Sequence, residues 1–178
     1  MYSDESMTRI ARAVTLFTAL TFIPGSLTAQ SQEKIYSLMI LNFAKTINWP
    51  VTGTESKFII GVLEYPPLVS ELKMTSQNTK INGKLVEIRE LTSPEESKGC
   101  QIVFLPAYKA KWLSRIIQHI PVQPTLIVSN KSDVARNGGG INFALVDGKL
   151  NFEINCKAIE KRGMKVSAAL KSNGILIQ

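Results

Sequence analysis

The chain has 178 residues, 21 Lys and Arg against 14 Asp and Glu, a formal charge of +7, one His and two Cys. That length suits one domain with a single core once an amino-terminal leader is set aside, and one histidine argues against His-rich metal sites and most histidine-dependent hydrolase designs. The basic residues are scattered singly and not interleaved with aromatics along a groove, so they read as solvated faces, and nucleic acid is not expected as a partner.

Arg9 and Arg12 precede an apolar run, Ala13 to Ile23, which Pro24 and Gly25 break before Ser26-Leu27-Thr28-Ala29. This is the layout of a secretory signal peptide. The run is about half of the roughly 20 residues a membrane span requires, and Leu16, Phe17, Ala19, Leu20, Phe22 and Ile23 leave no polar face for a surface helix. A cleavable leader over 1–29 and a domain over 30–178 are expected, with Leu27 larger than the residue usual three before a cut. A bacterial signal of this kind delivers the mature chain to the periplasm.

Beyond the leader, Ile35, Leu38, Met39, Leu41, Phe43, Ala44 and Ile47 recur at helical spacing, which predicts a helix from Gln32 to Ile47, capped by Ser31 and ended before Trp49-Pro50. Phe58 to Leu63 is apolar enough for a strand covered on both faces. Pro66 and Pro67 open a helix over Leu68 to Ser76, and the Asn82-Gly83 turn leads into a strand over Lys84 to Leu91. Ser93-Pro94-Glu95-Glu96 starts a short helical turn, Gln101 to Leu105 is a buried strand, Ala107 to His119 is helical, and Thr125 to Ser129 is another apolar strand. A short helical segment is expected around Ser132 to Ala135.

Residues 138–155 then read as a β-hairpin. Ile141, Phe143 and Leu145 alternate with Asn142 and Ala144, Asp147-Gly148 makes the turn, and Leu150, Phe152 and Ile154 alternate with Asn151, Glu153 and Asn155. Asn155 can cap a following helix through its side chain, and the carboxyl-terminal section is helical with a break near Gly163. Alternating strands and helices predict an α/β single-domain layered sandwich: a mixed, mostly parallel sheet with helices on both faces and a C-terminal antiparallel hairpin. The alternative is an α+β domain with helices on one side only.

The sequence offers little catalytic chemistry. His119 stands alone at a predicted helix end, where imidazolium suits the helix dipole. Neighbouring Glu95 and Glu96 point in different directions on a helical turn and serve its first-turn electrostatics. Gly138-Gly139-Gly140 either forms a nest for an anion or simply turns the chain into the hairpin. No C-x-x-C or H-E-x-x-H pair suggests zinc, so no catalytic residues, metal or cofactor are expected. Cys100 and Cys156, in an exported chain, either pair as a disulfide, which antiparallel neighbouring strands would allow, or remain partly buried thiols. Trp49 reads as a partner-binding edge or as a cap over the core. Val166, Leu170 and Ile175 form a stripe that reads as a dimer or partner face, or as core.

Three blocks of this sequence resemble the YfiR-like family of exported proteins. The first is Glu33-Lys34-Ile35-Tyr36, Leu41-Asn42-Phe43-Ala44-Lys45 and Ile47-Asn48-Trp49-Pro50; the second is Gly99-Cys100-Gln101-Ile102-Val103-Phe104-Leu105. The third is Gly140-Ile141-Asn142-Phe143 through Phe152-Glu153-Ile154-Asn155, continuing to Ala158, Gly163, Lys165, Ser167 and Leu170. The resemblance implies a non-catalytic periplasmic repressor of an inner-membrane diguanylate cyclase, hence control of cyclic-di-GMP, with a possible outer-membrane sequestering partner and a homodimeric state. The family's disulfide control rests on four cysteines, and this chain has two. Against the repressor reading stands a small-ligand binding module feeding a membrane sensor, with Glu64, Ser129 and Asn130 near the ends of parallel strands as its polar groups.

Overall fold

The computed structural model describes residues 26–50, 56–121 and 123–177; the arginine-flanked apolar run of the expected leader lies outside them. In chain order the elements are α1 (Ser26–Thr46), β1 (Ile47–Asn48), β2 (Lys57–Leu63), α2 (Pro66–Thr75), β3 (Lys80–Ile81), β4 (Lys84–Leu91), β5 (Ile102–Leu105), α3 (Leu113–His119), β6 (Leu126–Ser129), β7 (Ile141–Val146), β8 (Lys149–Asn155), α4 (Cys156–Lys161), β9 (Lys165–Val166), α5 (Ala168–Asn173) and β10 (Ile175–Ile177). Short 3-10 helices over Pro94–Ser97 and Ala107–Trp112 lead into β5 and α3.

The main sheet runs β10-β8-β7-β6-β5-β2-β4-β3. From β4 to β7 its strands are parallel, whereas β8 folds back on β7 and β3 on β4. The mixed, mostly parallel sheet predicted from sequence is therefore present, and helices lie on both faces. Ile60, Val62, Ile102, Phe104, Val128, Phe143 and Phe152 meet α1, α2, α4 and α5 in one core. Ile59, Leu63, Val103, Leu105 and Ile127 meet α3 in the other. The odd and even residues of β2 divide between the two cores, which is why its sequence is apolar throughout.

Several boundaries differ from the sequence reading for physical reasons. Helix α1 starts at Ser26 and passes through Ser31, so Ser31 is not a cap. The first half of the Ala107–His119 segment is 3-10, and Ser132 to Ala135 forms turns and no helix. The carboxyl-terminal section is two short helices, with β9 pairing across to β1 through Ile47↔Val166 and β10 adding to β8.

That last arrangement divides the Val166, Leu170 and Ile175 stripe. Val166 and Leu170 belong to the core shared with α1, and only Ile175 is exposed. A helix ridge and a core ridge share one spacing, and the pairing of β9 with β1 turns this one inward. Leu170→Ala should lower stability by about 2–5 kcal/mol, read by chemical denaturation. Weakened self-association at unchanged stability would instead make Leu170 a surface residue.

Candidate functional site at the carboxyl edge of the sheet

The strand order places β4 on one side of β2 and β5 on the other, so the chain reverses its direction of travel between β2 and β5. Open α/β sheets present crevices outside the carboxyl ends of strands at such a point. Here aromatic and polar side chains fill it. Tyr65, just after β2, stacks on Phe104 of β5 at 6.0 Å between ring centroids and donates its hydroxyl to the buried Glu33 carboxylate of α1. Burial, and then the Glu33 bond, push the Tyr65 phenol well above its ordinary range, so it remains a donor. Tyr108 donates to the Glu64 carbonyl, while Lys109 pairs with the Glu64 carboxylate at 2.5 Å and lies 4.2 Å over the Trp112 ring.

One strand further along, the surface opens. The β6 to β7 ladder ends at Ser129↔Asn142, yet β7 continues to Val146. The resulting cleft of about 430 Å³ is lined by Gln32 and Tyr36 of α1, Asn130 and Ser132 after β6, and hairpin residues from both faces of the sheet, including Leu145, Leu150 and Glu153. The Tyr36 ring stacks on Phe143 at 4.2 Å and 3°, and its hydroxyl accepts from Gln32 Nε2 at 2.6 Å. Burial raises the Tyr36 phenol pKa against the hydrogen bonds from Gln32 and Asn130. Of the three polar groups suspected from sequence, only Asn130 lines the cleft. Ser129 donates to the Leu105 carbonyl at 2.6 Å beneath it, and Glu64 sits with Lys109 at the switch point.

The hairpin signature does structural work. Asn142 Oδ1 accepts the Ala135 N–H at 2.9 Å, and its Nδ2 donates to Glu153 at 2.7 Å. Asn155 Nδ2 donates to the Ala135 carbonyl at 2.8 Å, while its Oδ1 accepts from the Ala158 N–H at 2.9 Å and caps α4. Both hydrogen-bonding groups of Ala135 are thus held by signature asparagines. Arg162, which sequence reasoning passed over, is buried and donates to the Gly138 carbonyl at 2.7 Å.

The glycine run has the same purpose. The amides of Gly138, Gly139 and Gly140 bond to Ala135, Val134 and Ile127 carbonyls, so the anion-nest alternative gives way to a packed turn. Gly138 takes φ +99, and a Cβ on Gly140 would meet Leu126 at 2.5 Å.

The other signature residues are placed as follows. Phe43 packs on Phe152 at 5.0 Å, and Ile141 and Ile154 face each other across the hairpin in the same core. Lys45 is exposed in the last turn of α1, where a cation suits the dipole, and Gly163 follows the end of α4. Trp49 caps the core: its indole donates to the Ala44 carbonyl at 2.8 Å and meets Phe58 edge-on at 5.1 Å, with Pro50 beside it. His119 lies at the end of α3 with Nε2 3.3 Å from Glu95, which also binds Arg115. Hydrogen bonds from its own N–H and from Ser93, with Arg115 adding, hold the Glu95 carboxyl down at about 2. Among the described residues no group of three or more Cys, His, Asp or Glu is placed to hold a metal.

The two thiols are free. Cys100 precedes β5 and Cys156 follows β8, at the same end of the sheet but with β6 and β7 between them. Three strand spacings are roughly 14 Å, against the roughly 7 Å limit of a disulfide, and the side chains join cores on opposite faces. The antiparallel arrangement suspected from sequence is real for β8, but its neighbour is β7 and not β5.

The family model described as YfiR/HmsC-like matches residues 33–172. This chain belongs to that family. The match runs from Glu33 in α1 to Ser172 in α5, so it takes in the switch point and every residue named in the cleft lining except Gln32. No curated protein matches the chain. YfiR/HmsC-like membership carries a periplasmic, regulatory theme, and among the described residues no helix is long and apolar enough to cross a membrane.

Asn155→Ala should cost about 1–3 kcal/mol, because it removes the shorter of two hydrogen bonds to the Ala135 carbonyl and uncaps α4 together; thermal unfolding with amide exchange at residues 133–140 measures it. Unchanged protection there would contradict the pinning role. Burial pushes the Cys100 thiol up to about 11 and raises that of the less buried Cys156. At about pH 8, iodoacetamide should therefore label native Cys156 first, with equal rates only in denaturant. Faster labelling of Cys100 would mean that the core over α3 opens readily.

Proposed function

We propose that this protein is a non-catalytic periplasmic regulator that binds the periplasmic part of an inner-membrane signalling protein and represses it, the target being a diguanylate cyclase whose product is cyclic-di-GMP. The observation that carries this reading is the YfiR/HmsC-like match across residues 33–172, most of the described domain. The side chains that define the resemblance support it, because they go into core packing, capping and loop pinning and leave binding to the surfaces around them. A homodimer and an outer-membrane partner that withdraws the repressor belong to the same proposal. Within the residues suspected of contact from sequence, Ile175 is the one on the surface, beside Leu176 at the sheet edge; Val166 and Leu170 lie in the core and Trp49 packs against it.

Deleting the gene should raise cellular cyclic-di-GMP, and supplying the protein with an export signal should lower it again, both read by mass spectrometry of nucleotide extracts. A form retained in the cytoplasm should not complement. Unchanged cyclic-di-GMP in all three strains would contradict the cyclase target.

A second reading, a ligand-binding module that feeds a membrane sensor, is favoured by one observation. The cleft between α1 and the hairpin has the size of a small-molecule site and mixes polar with apolar lining.

A further inference from the structure

We infer that the carboxyl-terminal face of the domain docks on an anionic phospholipid surface, through four lysines set beside the uncovered edge strand β10. This goes beyond the repressor reading and does not depend on which protein is the target.

The lysines are scattered in sequence and gathered by the fold. Residues 156–178 carry Lys157, Lys161, Arg162, Lys165 and Lys171 against Glu160 alone, a net +4 within the chain's formal +7. Lys157 and Lys161 share one side of α4 at i, i+4. Lys165 and Lys171 line one shallow concavity with Glu160, over the buried Met164 and Val166. Glu160 is taken by Lys171 at 3.5 Å, so the patch keeps most of its charge, whereas Lys57, Lys109 and Arg115 elsewhere in the domain each lie against a glutamate.

The apolar part is the sheet edge. Strand β10 follows α5 directly, and its Ile177 lies opposite Asn155, the residue before α4, so the edge stands next to the lysines of both helices. Ile175 and Leu176 are 36% and 57% exposed, and the strand carries no Lys or Pro of the kind that guards a free edge. The other edge of the sheet, β3, is only two residues long and one of them is Lys80.

Charge selects the occupant. A second copy laid across this edge would bring like charges together. A specific acidic protein surface is best read by Arg, whose fork fits a carboxylate, yet the exposed cations here are all Lys, and Arg162 is turned inward to the Gly138 carbonyl at 2.7 Å. Flexible point charges beside exposed aliphatic side chains suit mobile phosphate headgroups over a hydrocarbon layer.

The test is co-sedimentation of the protein, recovered from the periplasm of its host, with vesicles of mixed phosphatidylglycerol and phosphatidylcholine and with vesicles of phosphatidylcholine alone. Binding to the anionic vesicles only is expected, and it should be lost at about 1 M salt, where charges are screened within about 3 Å. Combining Lys157→Gln, Lys161→Gln, Lys165→Gln and Lys171→Gln should weaken binding about fivefold for each lysine removed. Combining Lys34→Gln, Lys73→Gln, Lys80→Gln and Lys84→Gln gives the same net charge and should leave binding near that of the unaltered protein. Leu176→Ser should also weaken it. Equal loss in the two quadruple variants, equal binding to both kinds of vesicle, or no binding would overturn the assignment. Affinity for soluble polyglutamate, per anionic group, equal to or above that for the vesicles would overturn the lipid and give the patch to an acidic protein.

Discussion

Ala135 presents a buried N–H to Asn142 and a buried C=O to Asn155, and that pair of hydrogen bonds sets the geometry of the whole carboxyl half. Asn142 lies in β7 and Asn155 closes β8, so the loop after β6 can be satisfied only when the hairpin is in register. A slip of one residue would turn both asparagines to the other face, leaving the buried Ala135 N–H without a partner at a cost of about 1–3 kcal/mol and its carbonyl with the Gly138 amide alone. The cap on α4 shares Asn155, and the Gly138 carbonyl shares Arg162 with α4. Loop, hairpin and helix therefore depend on one another.

That mutual dependence explains why the residues most characteristic of this domain are not its reactive ones. Asn and Glu on a strand invite a catalytic reading, yet here Asn142 and Asn155 connect the hairpin to a loop and Glu153 holds Asn142 across it. The same economy applies at the switch point, where Tyr65 and Glu33 satisfy each other and the usual crevice of an α/β sheet is filled by rings. The open surface is displaced sideways, to the cleft where β6 stops and β7 goes on. The projecting hairpin and α1 both rest on the aromatic column Tyr36, Phe143, Phe43 and Phe152.

How much of this was legible in the sequence depends on how local each signal is. The hairpin was, because Asp147 and Gly148 occupy positive φ at the turn and alternation runs outward from them; Asn82-Gly83 announced β4 for the same reason. Strands β5 and β6 were legible as short apolar runs. The pairing of β1 with β9 was not, since two-residue strands more than a hundred positions apart leave no periodicity to read. Strand β10 was hidden because Ile175 fits a helical stripe with Val166 and Leu170 as well as it fits an edge strand. The pinning of Ala135 was half legible: Asn155 reads as a cap, but nothing in the sequence says that Asn142 reaches the same peptide from the other side. The cysteines were misleading, since sharing one end of a sheet does not make two residues neighbours.

The claim that most needs testing is that this domain acts by binding a membrane signalling protein. Mild cross-linking of the tagged protein in the periplasm of its own host, followed by mass spectrometry of the captured species, addresses it directly. The account predicts enrichment of one inner-membrane protein with a cyclase output domain. Capture of nothing beyond other copies of the chain would contradict it and shift the weight to the ligand cleft.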